Sequence, residues 1–211
     1  MRLEKGSKTL RRWELALLLG VAFAAMAGAW LCSQQADLAD RILRLHVIAN
    51  SDSEEDQSLK LAVRDRILTT AEALYEPGGT VEDAKQALSA ALPELAQAGA
   101  EVVAQYGYDY PVAVSLQPQV WFPTKEYQDF ALPAGNYQAL RVVIGDGAGQ
   151  NWWCVVFPPL CLGSVSETTS ETALSAGLDE QQVALITGES EGYVVKFKAL
   201  EIIDSIREHF S

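Results

Sequence analysis

The chain has 211 residues, 49% of them hydrophobic, and a net charge of −12. That composition supports a folded core and excludes global disorder, and the length allows one domain with something added. Residues 1–36 hold five basic and two acidic side chains, so the remainder stands near −15. A phosphate backbone would repel it, so the expected partners are proteins or cations, with no nucleic acid.

Lys5, Lys8, Arg11 and Arg12 precede "LALLLGVAFAAMAGAWL", and no charged residue occurs from Leu15 to Ala36. A basic start followed by 17 apolar residues is at the lower limit for a membrane-spanning helix. Ala25-Met26-Ala27 and Ala27-Gly28-Ala29 offer the small-x-small pattern of a cleaved secretory signal. Trp13 and Trp30 bracket the run about 25 Å apart, as interfacial aromatics bracket a retained anchor. Both readings stand, and both put the acidic bulk outside the cytoplasm. Cys32 does not make a lipoprotein site, because Leu31 before it is too bulky. Outside the cytoplasm cysteines can be oxidised, and the rest of the chain holds two, Cys154 and Cys161.

"RILRLHVIAN", residues 41–50, predicts a strand with one apolar face (Leu43, Leu45, Val47) and one mixed face carrying Arg44 and His46. Ser53 then predicts a helix N-cap, with Asp56 three residues on and Glu54 and Glu55 in the first turn. Leu59, Val63, Ile67 and Leu74 supply its core stripe, and Pro77-Gly78-Gly79 its end. Thr80 with Asp83 opens a second helical region, which Pro93 divides before it runs to about Tyr106. "PVAVSLQ" alternates as a strand. "YQALRVVIG" and "NWWCVVFP" flank Asp146–Gln150 and predict a hairpin. Trp152, Cys154 and Val156 face one side of the second of these strands, with Trp153, Val155 and Phe157 on the other. Such a strand is expected inside a sheet, covered on both faces.

Residues 164–192 are rich in Ser, Thr, Glu and Gly and predict a solvated connection with a short helix near Asp179–Ile186. The chain ends in an amphipathic helical pattern. The expected fold is α+β: a mixed sheet of about four strands with helices packed on it, after one signal or anchor helix. Its divisions are 1–36 signal or anchor, 37–163 signalling domain, 164–192 linker and 193–211 terminal helix.

Catalytic constellations are thin. Cys154 or Cys161 with His46 could imitate a thiol–imidazole pair, but a mid-strand histidine is more simply half-buried structure. Two isolated histidines and a C-x6-C spacing do not match zinc. Asp52, Glu54, Glu55 and Asp56 lack the glycine and distal glutamate of an EF-hand, and helix capping accounts for them. "GDGAG" leads into a strand, whereas a dinucleotide loop leads into a helix. No carboxylate pair stands out for glycoside hydrolysis. No cofactor, metal or small-molecule substrate is expected.

Trp121, Phe122, Tyr127, Phe130 and Tyr137 lie in a proline-punctuated stretch that either carries binding surface or folds into a second small core. Fully extended, Cys154 and Cys161 would stand about 23 Å apart. A disulfide tolerates roughly 7 Å, so a bridge requires Pro158-Pro159-Leu160 to reverse the chain. Two buried free thiols are the alternative.

Over residues 42–161 the strings "HVIANSD", "FPTK", "LPAGNYQALR" and "NWWCVVFPPLC" resemble the stage II sporulation protein R family. The resemblance implies a protein made in the forespore of an endospore-forming bacterium and exported into the space between the two sporulation membranes. There it would activate a membrane-embedded aspartic protease of the mother cell, which processes the sigma E precursor. The chain itself would not be an enzyme. The contacts expected with that protease are Trp121, Phe122, Trp152, Trp153 and the strand exit with His46, Asn50 and Asp52. The alternatives are a secreted cell-envelope hydrolase using Cys161 or an acidic pair, and a purely structural envelope domain.

Overall fold

The residues described in this computed structural model are 3–76, 78–127, 130–161 and 169–187, with the backbone alone for 3–10, 27–32, 34 and 169. The chain divides into two compact units, Met1–Asp37 and Leu38–Ser211. The first is the body of helix α1 (Leu3–Asp40). Residues 11–26 of it are exposed on every side, Trp13, Leu17 and Phe23 included. Among the described residues no helix is long and apolar enough to cross a membrane. The transmembrane span expected over Leu15–Leu31 is therefore not found there, and the side chains of residues 27–32 lie outside what is described.

The second unit is a mixed α+β domain. Its elements are β1 (Leu43–Ile48), α2 (Glu54–Glu72), α3 (Val81–Ala90), α4 (Leu92–Gln105), β2 (Val112–Phe122), β3 (Lys125–Glu126), β4 (Ala131–Leu132), β5 (Gly135–Ile144), β6 (Asn151–Phe157), α5 (Thr169–Ser175) and α6 (Glu180–Thr187). Local chemistry sets the helix starts. Ser53 accepts from the Asp56 N–H at 3.1 Å, Thr80 and Asp83 form a full capping box, and Pro93 sits in the first turn of α4. Helix α2 stops at Glu72, ahead of the Pro77-Gly78-Gly79 signal. Pro77 lies outside the described residues.

The main sheet has the order β2-β5-β1-β6. β1 runs parallel to β5 and antiparallel to β6, so the strands flanking Asp146–Gln150 do not form the expected hairpin. β1 stands between them. All six of its residues are buried, and a strand buried that completely is most stable where neighbours cover both edges. β6 correspondingly lies at the sheet edge, not in its interior, although elements cover both of its faces.

Helices α2, α3 and α4 cover the front face. There Leu45, Val47, Leu140, Val142, Cys154 and Val156 pack with Leu59, Val63, Ile67, Leu88, Leu95 and Val103. Each such leucine, fully buried, contributes about 1.5–3 kcal/mol. The back face has two smaller clusters. In one, Leu38, Ile42, Phe130, Leu132 and Val155 meet Ala173, Leu178, Val183 and Ile186 from α5 and α6. The short helix expected near Asp179–Ile186 forms as α6, while Thr169–Ser175, expected as solvated connection, is a further helix; five buried apolar side chains, Ala176 among them, anchor residues 169–187, and their small number makes the periodicity weak in sequence. The other cluster joins Phe122, Tyr137 and Ala139, with Val120 and Trp153 against them. Residues 162–168 and 188–211, and with them the expected terminal helix, lie outside the described residues.

Candidate functional site

The strand exit expected to touch a partner is a junction between two loops. β1 and β5 are parallel, so their carboxyl ends emerge side by side. The Asn50 amide donates to Asp56 Oδ2 at 2.8 Å, and Ser51 Oγ donates to the same atom at 2.6 Å. Asn50 Oδ1 accepts from the Asp146 N–H at 3.0 Å. Asp52 Oδ1 accepts from the Gln150 N–H at 2.8 Å. Main-chain bonds from Ala148 to Asn50 (3.1 Å) and from Gly149 to Ala49 (3.0 Å) complete the seam. The Ser51 hydroxyl, then the Asn50 amide, hold the Asp56 carboxyl below the usual carboxylate range, against the opposing effect of burial.

Gly145 has φ +58°, and a side chain there would collide with that of Asn50. A side chain at Gly149 would collide with the Ser51 main chain. "HVIANSD" and "GDGAG" are therefore two halves of one lock that carries the chain from β5 over the end of β1 to β6. Beneath it the buried Lys60 ammonium donates to Gln57 Oε1 at 2.6 Å and Gln150 O at 3.1 Å. Burial lowers its pKa, opposed by the charge of Asp52.

On the back face the structure brings His46, Phe122 and Trp153 together around Arg44. The Arg44 side chain is fully buried, its guanidinium carbon 4.1 Å from the Phe122 ring centroid and 4.9 Å from that of Tyr137. Nε donates to Cys154 O at 3.3 Å and Nη2 to Tyr127 Oη at 3.0 Å, while Nη1 has no hydrogen-bond partner among the described residues. Tyr127 Oη donates onward to Trp153 O at 3.0 Å. Burial pushes the Tyr137 hydroxyl up to about 12.

His46 stacks on Trp153 with ring centroids 3.8 Å apart and meets Asn151 Oδ1 through Nε2 at 2.8 Å. Burial lowers its pKa from the ordinary imidazole value, against the raising effect of Asn151. His46, at 6% exposure, and Phe122, at 0%, are buried in the core, unlike the exposed position expected of partner contacts. The aromatic stretch folds mainly inward because alternate residues of β2 point to the back-face cluster.

The tryptophans diverge. Trp153 belongs to this cluster. Trp152 faces front, half-buried, with the Arg64 guanidinium 4.3 Å from its ring centroid. Trp121 is 48% exposed.

Cys154 and Cys161 are joined in a disulfide with Cα atoms 6.0 Å apart. The chain reverses through Pro158 and Pro159, with the Phe157–Pro158 bond cis. The Val155 N–H donates to Cys161 Sγ at 2.9 Å, and Tyr75 Oη donates to Val156 O. Side chains thus occupy main-chain groups of β6, as an edge strand requires. Neither cysteine offers a thiol, and His46 lies against Asn151 and Trp153, so the thiol–imidazole pair does not form. Among the described residues no three His, Cys, Asp or Glu side chains gather to hold a metal. The aromatic stretch forms the second small core, one of its two expected fates, and what sequence reasoning missed is that Arg44 lies at its centre with Tyr127 and Tyr137. The available signal was a charged residue two places before His46 on an otherwise apolar strand.

These features define a small α+β domain whose distinctive residues hold its main chain together. The family model for stage II sporulation protein R matches residues 39–167, a span that begins with the domain and contains the whole sheet. A relative named stage II sporulation protein R, from Bacillus subtilis (strain 168), is 36% identical over 129 residues, 61% of this chain and 57% of the relative. The chain therefore spans less than two thirds of that relative's length. No solved structure matches. The chain belongs to the stage II sporulation protein R family, which gives it a role in sporulation; the family does not carry the name of an enzyme.

Proposed function

We propose that this protein is an exported sporulation signal that activates a membrane-embedded aspartic protease of the mother cell, the one that processes the sigma E precursor. The observation that carries the reading is the family match over residues 39–167, which takes in every strand of the sheet. Three features support it. The basic start leads into a helix whose residues 15–26 are apolar and exposed all round, as an export signal or anchor requires. A disulfide suits the space outside the cytoplasm. The cysteines and His46, the groups a thiol hydrolase would use, are committed to structure. Activation would proceed by tighter binding to the active arrangement of the protease than to the inactive one, since a ligand shifts an equilibrium only by that difference.

The test is reconstitution in a non-sporulating host that makes the full chain, the membrane protease and the sigma E precursor. The expected result is precursor cleavage that depends on all three and is lost when residues 1–36 are removed and export fails. Cleavage without the chain, or undiminished cleavage with the chain confined to the cytoplasm, would overturn the reading.

A further inference from the structure

Part of the front face is left open. Between α3 and the β2–β5 pair runs a groove of about 700 Å³, with Gln86 and Ser89 on the helix side and Gln117, Pro118 and Gln138 on the sheet side. The charged residues that line it, Glu82 and Lys85, are paired with each other at 2.9 Å, so the groove is neutral within a strongly acidic protein. The side chains of Gln86 and Gln138 make no hydrogen bond within the described residues, and each carboxamide can both donate and accept.

The strand beside the groove is the sheet's other edge. Among the described residues nothing pairs with the outer side of β2, and Val112–Phe122 holds no charged residue in 11 positions. Edge strands are usually guarded by charge, and here Pro118 and the register shift between Gln117 and Val120 supply the guard that exists. Beyond that shift Val120 pairs with Tyr137 and turns into the back-face cluster, so Trp121 turns to the groove side, opposite Asn136. It stands about 7 Å along β5 from Gln138. Its exposure, at 48%, is the highest of the candidate aromatics.

We infer that this groove is a docking site for a short extended segment of the membrane partner. The segment is uncharged where it enters and brings an apolar side chain onto Trp121. Carboxamides and a strand edge are the groups that complement a peptide main chain, with a neighbouring aromatic to select one side chain. A small molecule would call for an enclosing, mainly apolar site. A second copy fits poorly, because each copy carries −12 and Pro118 interrupts pairing along the whole edge. Basic residues flanking the segment suit the acidic surface around it. The inference rests on the proposed signalling function and names the surface through which the signal would act.

The experiment uses the full exported chain in the reconstituted host, with a photo-crosslinking phenylalanine derivative replacing Gln86 in the groove or Trp121 beside it, or Arg141 on the back face. Crosslinking to the tagged protease is expected from the two groove positions, at least tenfold above Arg141. A Trp121→Ala chain that is exported at the normal level is expected to lose at least tenfold in precursor cleavage. Crosslinks from Arg141 alone, crosslinks joining two copies of the chain, or full cleavage with both Trp121→Ala and Gln86→Ala would overturn the groove. Cleavage without a groove crosslink sinks the groove and spares the signalling function. A groove crosslink to the protease without cleavage does the reverse.

Discussion

On the front of the sheet Leu45 and Val47 meet Leu59, Val63 and Leu140, all fully buried and all apolar. On the back, the alternating residues of the same strand, Arg44 and His46, meet Phe122, Tyr127, Tyr137 and Trp153. The front is held by area removed from water, which is tolerant of detail as long as volume is kept. The back buries a cation with no carboxylate beside it, a costly arrangement that aromatic faces and two acceptors offset only in part. One strand therefore carries stability on one face and a specific, polar-aromatic arrangement on the other.

Leu45→Ala should show the largest effect, a loss of about 3–4 kcal/mol in chemical unfolding, because the cavity is closed in by helices and strands. A loss under 1 kcal/mol would mean that the front core is not the main source of stability. Replacing Cys154 and Cys161 together by serine should cost about 2 kcal/mol, in keeping with the short loop they close. Alkylation of the denatured wild type without reductant should add no mass; addition at both cysteines would remove the bridge from the account of β6.

The pH dependence comes next in size. The His46 pKa is lowered in the fold, so the unfolded chain binds its proton more readily. Stability is then full above the unfolded value near 6.5 and falls as pH drops from there toward the folded value. His46→Gln should flatten that limb of the stability curve, and an unchanged slope would place the titration elsewhere. Arg44→Met should have the smallest effect, within about 1 kcal/mol of wild type or above it, since it replaces a desolvated cation by an apolar chain of similar length. A loss beyond 3 kcal/mol would show that the contacts to Tyr127 and Cys154 outweigh desolvation, and the contrast between the two faces would fail.

Much of the local order was legible because its causes are local. Ser53, Thr80 with Asp83, and Pro93 act within one helical turn of themselves, and the structure places helix starts at each. The inward-facing pattern of Leu43, Leu45 and Val47 marked the central strand. The candidate contact residues were less legible. Asn50 and Asp52 look like exposed turn residues until Asp146 and Gln150, 96 and 98 positions away, supply their partners. Phe122 and Trp121 are adjacent in the same aromatic stretch, yet one is buried and the other open, a difference set by which side of β2 meets the back-face cluster.

By itself, then, the sequence determined most of the helices and strands between Leu43 and Phe157, the class of fold, the acidic character and the family. Only the tertiary structure decided that β1 inserts between β5 and β6, that β6 lies at an edge closed by Cys161, Tyr75 and Tyr127, and that Arg44 is enclosed in aromatic rings. The reason is physical. Periodicity and capping report energies felt within a few residues, whereas strand order and the fate of a buried charge depend on partners that the fold brings from a hundred residues away.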